Sequence, residues 1–197
     1  FNPIRSLQDL AGFGYSCKEL FFQGNISSLV SCSTINNLGD DVIEDIDFYN
    51  LEDTIYNRVS PMLSSVPKYT TLFIHLDIGL RNDVCGISVC YFDGEITDND
   101  GFDNTPYPTF RVPLLFGLSR KKGQSTSLDH IFQFIQRLTI DYNVNVSADS
   151  FASAGLFQSC ERAGIPYEEL SVDRTTEPYF MFKNIVLSGR IKMVYNQ

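Results

Sequence analysis

Several patterns are missing from this chain, and each absence removes a class of function. No apolar stretch reaches the roughly 18 residues that a membrane-spanning helix requires, so the sequence offers no spanning helix. The first residues, Phe1-Asn2-Pro3-Ile4-Arg5, have neither the charged start nor the apolar stretch of a secretory leader. They also lack an initiating methionine, which reads as a piece of a longer protein. No Gly-x-x-x-x-Gly-Lys-Ser/Thr loop occurs, so no nucleotide-phosphate cradle of that type is present. Histidines number only two, and none of the five cysteines (17, 32, 85, 90 and 160) belongs to a Cys-x-x-Cys pair. That scarcity argues against zinc, and the odd cysteine count points to a reducing compartment rather than a disulfide framework. The cysteines read as small buried hydrophobes.

What is present is a globular composition. Of 197 residues, 43% are apolar and 20% charged, enough to bury a core. The net charge is −9, unevenly spread. Residues 1–65 carry three basic and nine acidic side chains, residues 66–110 two and seven, and residues 111–197 ten and eight. Nucleic-acid binders are usually basic, so the overall balance opposes that reading while the C-terminal half keeps it open.

Residues 1–65 read as an N-terminal extension packed on the domain formed by residues 66–197. In the extension, Ser6–Ala11 suggests a short helix stopped by Gly12, Asn25–Ser33 is β-like, and Asn36–Asp53 is acidic and loop-rich. Apolar residues at 51, 55, 59 and 63 predict a helix over Leu51–Leu63. A strand meander follows: Thr70–Ile78, Val84–Phe92 and Thr109–Leu115, separated by a turn and by an acidic loop over Asp93–Thr105. Gly117–Gly123 reads as a basic loop. Thr126-Ser127-Leu128-Asp129 matches a capping box, and the apolar positions 128, 131, 132, 135 and 138 give the helix behind it one apolar face. Then come a strand at Val144–Ala148, a helix from Ser150 to Ala163 stopped by Gly164 and Pro166, a strand at Glu169–Val172, a helix at Glu177–Leu187 and an extended segment at Arg190–Tyr195. Three strands followed by helix–strand–helix–strand–helix is the order of a ribonuclease H-like α/β sheet, with strand order 3-2-1-4-5. Its first and fourth strands are neighbours.

That adjacency gives two aspartates a common purpose. Asp77 stands in the apolar run Thr71–Leu80, and Asp149 closes the run that begins at Val144. A carboxylate buried in such a run needs a cation or a partner. Two carboxylates side by side suit Mg²⁺ or Mn²⁺, which take hard oxygen ligands, and a pair of such ions supports phosphodiester hydrolysis. Other roles compete. Asp77 could cap a turn, and Asp149 could cap the helix behind it. Asp83 reads as a turn former, Asp129 as part of the capping box or a further ligand, and Asp173 as a loop ion pair with Arg174. His75 shares a sheet face with Asp77 and reads as a hydrogen-bonded core histidine. The acids between Asp93 and Asp103 fail the spacing of a calcium loop. Arg120, Lys121 and Lys122, set between glycines, suit sequence-independent contact with a phosphate backbone, or an exposed hairpin tip.

These residues carry a resemblance. Phe73-Ile74-His75-Leu76-Asp77-Ile78-Gly79 with Asp83 and Gly86-Ile87-Ser88 resembles the first nuclease motif of bacteriophage large terminase subunits. Ser147-Ala148-Asp149-Ser150-Phe151, with Gln158 ahead of Gly164, resembles the second. Ser171-Val172-Asp173-Arg174-Thr175, Tyr179 and Ser188-Gly189-Arg190-Ile191 are similar to the segment that follows, and Arg5–Gly12 is similar to the linker from the ATPase domain. The resemblance implies a two-metal endonuclease that cuts concatemeric viral double-stranded DNA in the host cytoplasm, at the procapsid. It implies Asp77 and Asp149 as metal ligands and a third acid beyond Gln197. It also implies an ATP-driven motor domain upstream, with portal protein and small terminase subunit as partners. Two other readings stand beside it: a junction resolvase or integrase-like nuclease of the same fold, and a non-catalytic docking module that uses the acidic 1–65 segment.

Overall fold

The computed structural model describes residues 33–36, 42–44, 51–79, 85–97, 106–119, 127–149, 153–170 and 176–195. Within them the order is β1 (Ser33–Asn36), β2 (Val42–Glu44), α1 (Leu51–Leu63), β3 (Thr71–Asp77), β4 (Cys85–Thr97), β5 (Pro106–Ser119), α2 (Leu128–Leu138), β6 (Asn143–Ala148), α3 (Ala154–Ala163), β7 (Tyr167–Glu169), α4 (Glu177–Leu187) and β8 (Ile191–Tyr195). The strands form one mixed sheet, β1-β8-β5-β4-β3-β6-β7, with β2 pairing β5. Its β5-β4-β3-β6-β7 stretch is the expected 3-2-1-4-5 order of a ribonuclease H-like sheet. β3, β4 and β5 run antiparallel in sequence, whereas β6 is parallel to β3 and β7 parallel to β6. β8, β1 and β2 extend the sheet beyond β5 through parallel pairings.

The sheet divides its two faces sharply. Along β3, Leu72, Ile74 and Leu76 are fully buried, and the residues between them point the other way. Period-two alternation produces this. The buried set continues through Cys85, Ile87, Val89 and Tyr91 of β4, Leu114, Phe116 and Leu118 of β5, and Val144, Val146 and Ala148 of β6. Against it lie Val59 and Leu63 of α1, Ile131, Phe134, Ile135 and Leu138 of α2, and Leu156, Phe157 and Cys160 of α3. The helical spacing of these apolar positions is what lets each helix present one stripe to the sheet. Phe134 meets Phe116 edge-on at 6.2 Å between ring centroids. On the opposite face a second, smaller cluster joins Phe182, Ile185 and Val186 of α4 to Phe110, Val112, Ile191 and Met193. So α4 covers the far side of the sheet at its β5–β8 end.

Several boundaries differ from the sequence expectation, each for a local reason. The acidic loop expected over 93–105 is shorter, because β4 runs on to Thr97 and β5 starts at Pro106. A register shift next to Gly94, at φ 126°, keeps the long ladder paired, and an Arg111–Asp93 ion pair of 3.1 Å joins its two strands. The basic loop loses Gly117–Ser119 to β5, where they pair with β2. The cap of α2 is Ser127 rather than Thr126: its hydroxyl accepts from the His130 amide at 3.3 Å. α3 begins at Ala154 after Ser153, so Asp149 is not its N-cap. Gly164 ends α3 in the left-handed region at φ 68°, as expected, and the chain then enters β7 at Tyr167, earlier than the predicted Glu169. β2 lies in the segment expected to be loop-rich. The expected Ser6–Ala11 helix lies outside the described residues.

Two substitutions check this packing by urea unfolding. Leu156→Ala, at a fully buried site, should cost about 2–5 kcal/mol. Ser127→Ala should cost about 1 kcal/mol through loss of the cap.

Candidate metal centre

Asp77 is the last residue of β3 and Asp149 follows the last residue of β6 directly. The two strands are parallel, with Leu76 paired to Ala148. Continuing that register by one step places Asp77 and Asp149 side by side at the carboxyl ends of adjacent strands. Leu76 and Ala148 are both 0% exposed and face the core, so the next residue on each strand turns to the opposite face. The expectation that Asp77 is buried is therefore corrected. Its neighbours in sequence are buried, but alternation carries its own side chain to solvent, where it is exposed, and Asp149 is half-buried. No desolvation cost forces a cation upon Asp77; adjacency is what makes the pair suitable for one.

One row further back, His75 pairs in register with Ser147, and His75 Nδ1 lies 2.9 Å from Ser147 Oγ. His75 is half-buried on the same face as the two carboxylates, rather than in the apolar core. Burial lowers its pKa from the ordinary imidazole value, while the negative charges of Asp77 and then Asp149 pull it back up. Both carboxylates thus act on one imidazole, an electrostatic sign of a shared location.

Across β3 on its other side, Asp77 pairs with Gly86 of β4, and Gly86 pairs with Gly117 of β5. A Cβ at position 86 would stand 3.5 Å from the Asp77 Cβ. Glycine there leaves the flank of the carboxylate uncovered. The same face carries exposed Phe73 and Leu115.

Two carboxylates supply hard oxygen donors of the kind Mg²⁺ and Mn²⁺ accept. Two alone bind such an ion weakly, and among the described residues no group of three or more His, Cys, Asp and Glu side chains is arranged to hold a metal ion. Asp129 is exposed in the first turn of α2, whose apolar stripe packs on the other face of the sheet. Asp83, Asp173, Arg120, Lys121 and Lys122 lie outside the described residues. The Ser147–His75 bond was not singled out from the sequence, and Gly86 was quoted only within the first motif, with no role assigned to it. A glycine inside an otherwise β-branched strand was the available signal for the second.

The chain matches no protein-family model and no curated protein. Among solved structures it is similar to the large terminase nuclease from thermophilic phage G20c. The identity is 17% and the TM-score 0.46, over 67% of this chain and 64% of that one. It is also similar to the large terminase from a second thermophilic bacteriophage, with 11% identity and a TM-score of 0.46, over 66% of this chain and 29% of that one. The chain spans less than two thirds of either structure.

Cysteine chemistry at this face can be checked separately. Burial pushes the Cys90 thiol up to about 11. At pH 8 its thiolate fraction should fall about 100-fold below that of an ordinary thiol. Iodoacetamide should therefore label Cys90 far more slowly in the folded protein than in urea. Equal labelling rates would contradict the packing around it.

Proposed function

We propose that the chain is the metal-dependent endonuclease domain of a viral DNA-packaging terminase, cutting concatemeric double-stranded DNA by phosphodiester hydrolysis. The observation that carries this reading is the placement of Asp77 and Asp149 on the ends of two adjacent parallel strands, on the sheet face that α1, α2 and α3 leave free. Rigid strands hold catalytic ligands more accurately than loops do. Asp77 and Asp149 would hold Mg²⁺ or Mn²⁺, two ions in the full site. Bound there, such ions supply Lewis acidity and an acidified water.

The residues of this chain have distinct parts in that reading. The two carboxylates bring ligand oxygens to one point. Gly86 leaves the flank of Asp77 accessible, and the row Asp77, Gly86, Gly117 gives an approaching phosphodiester backbone a surface low in side chains. The charge of −9 opposes loose DNA association. Cutting would then depend on delivery of DNA by an upstream ATP-driven motor domain, the portal protein or the small terminase subunit. The setting is the host cytoplasm, at the procapsid. Arg120, Lys121 and Lys122 are the proposed phosphate contacts; Asp83 and Asp173 are candidates for further ligands, alongside an acid beyond Gln197, whereas Asp129 lies on the opposite face of the sheet.

Plasmid nicking with Mn²⁺ tests this. Asp77→Asn and Asp149→Asn should each lower the rate by about 100-fold or more, on the scale of losing a metal ligand. Equal activity in wild type and both variants would sink the assignment. Gly86→Ala should also slow nicking, since its methyl stands beside Asp77, while the melting temperature changes little because 3.5 Å is an ordinary contact.

A further inference from the structure

A cavity of about 210 Å³ opens between the β4–β5 hairpin and the turn from α4 into β8, lined by Ile96, Thr97, Tyr107, Ser188 and Arg190. Arg190 is fixed there through backbone and side chain alike. Gly189, at φ 66°, turns the chain out of α4. The Arg190 amide then donates to the Ile185 carbonyl at 3.0 Å, and the Arg190 carbonyl accepts from the Phe110 amide at 2.8 Å. In the side chain, Nε donates to Ser188 Oγ at 2.7 Å. The Ser188 hydroxyl gives its own hydrogen to the Asn184 carbonyl at 2.6 Å, which leaves a lone pair for Nε. The guanidinium lies over the Tyr107 ring, 5.5 Å from its centroid. These contacts use Nε and one face of the group. Among the described residues no carboxylate pairs with Arg190, and neither Nη atom has a hydrogen-bond partner.

A guanidinium with both Nη groups unoccupied presents a fork that matches two oxygens of a carboxylate or a phosphate. Because the fold already holds the side chain, binding costs less ordering than it would at a mobile arginine. We propose that this cavity binds a small organic oxyanion, a carboxylate or phosphate monoester on an apolar body, with the anionic group on Arg190 and the body against Tyr107 and Ile96. The ligand is small, since pockets for drug-sized molecules run to about 300–1,000 Å³. Ten residues of β4 separate Ile96 from Gly86, the partner of Asp77, a distance on the order of 30 Å along the strand. The site is separate from the two carboxylates, and the proposal does not rest on the nuclease reading.

Titration followed in ¹H–¹⁵N spectra tests this with phenyl phosphate and benzoate, and with benzylammonium as the cationic control. The Arg190 Nε–H and Tyr107 amide signals should shift saturably with at least one anion, with a Kd of about 1 mM or below, and not with benzylammonium. The anion that binds more tightly identifies phosphate or carboxylate as the group the site takes. Arg190→Gln should weaken binding about 10-fold or more, the scale of losing a hydrogen-bonded charge. Arg190→Lys keeps the charge without the fork and should recover only part of the loss. Asp77→Asn should bind the anion as wild type does. The spectrum of each variant reports whether it is folded. No saturation with either anion up to about 10 mM, or undiminished binding by folded Arg190→Gln, overturns the proposal. So does slower plasmid nicking by Arg190→Gln in a protein that binds neither anion, which makes Arg190 a contact to DNA instead.

Discussion

Everything at the candidate site depends on the parallel register between β3 and β6. Leu76 opposite Ala148 fixes which residues come next on each strand, and those residues are Asp77 and Asp149. A slip of β6 by one residue would send Asp149 into the apolar layer and bring Ala148 out, separating the two carboxylates. The register is therefore held by the core itself: Leu72, Ile74 and Leu76 on one strand, Val144, Val146 and Ala148 on the other, all at 5% exposure or less. The hydrophobic effect that folds the domain also places the site, with no separate device needed to align it.

The same alternation separates stability from chemistry. One face of the sheet carries the three-helix core; the other carries the carboxylates, the Ser147–His75 pair and, at its far end, α4. A substitution at Asp77 or Asp149 should thus report on function with little change in folding, because neither side chain belongs to the core. The reverse holds for Leu76, which touches the site only through its neighbours in the chain. β3 is the central element for both purposes, with partners on each side and one residue in two given to each face.

Much of this was legible from the sequence. Apolar periodicity located Leu51–Leu63 at its observed limits, and the stop at Gly189 helped to locate the helix at Glu177–Leu187. The strand order followed from the succession of strands and helices. What failed were choices that only tertiary contact decides. Asp93 and Glu95 look like loop residues, yet cross-strand pairing draws them into a ladder with β5. Asp149 looks like a helix cap, yet the helix waits until Ala154. Asp77 looked buried because its neighbours are apolar, whereas in a strand the adjacent residues say nothing about which face a side chain takes. The His75–Ser147 bond crosses 72 positions and becomes visible only once the two strands are set side by side.

The central claim is that the ends of β3 and β6 form one cation-binding point. Paramagnetic broadening by substoichiometric Mn²⁺ in ¹H–¹⁵N spectra tests it most directly. The account predicts that the amides of Asp77, Ile78, Gly79, Gly86 and Asp149 fade first and together, and that Asp77→Asn abolishes the effect at all of them. Broadening centred instead on the acidic β4–β5 hairpin around Asp93 and Glu95, or unaffected by Asp77→Asn, would contradict it.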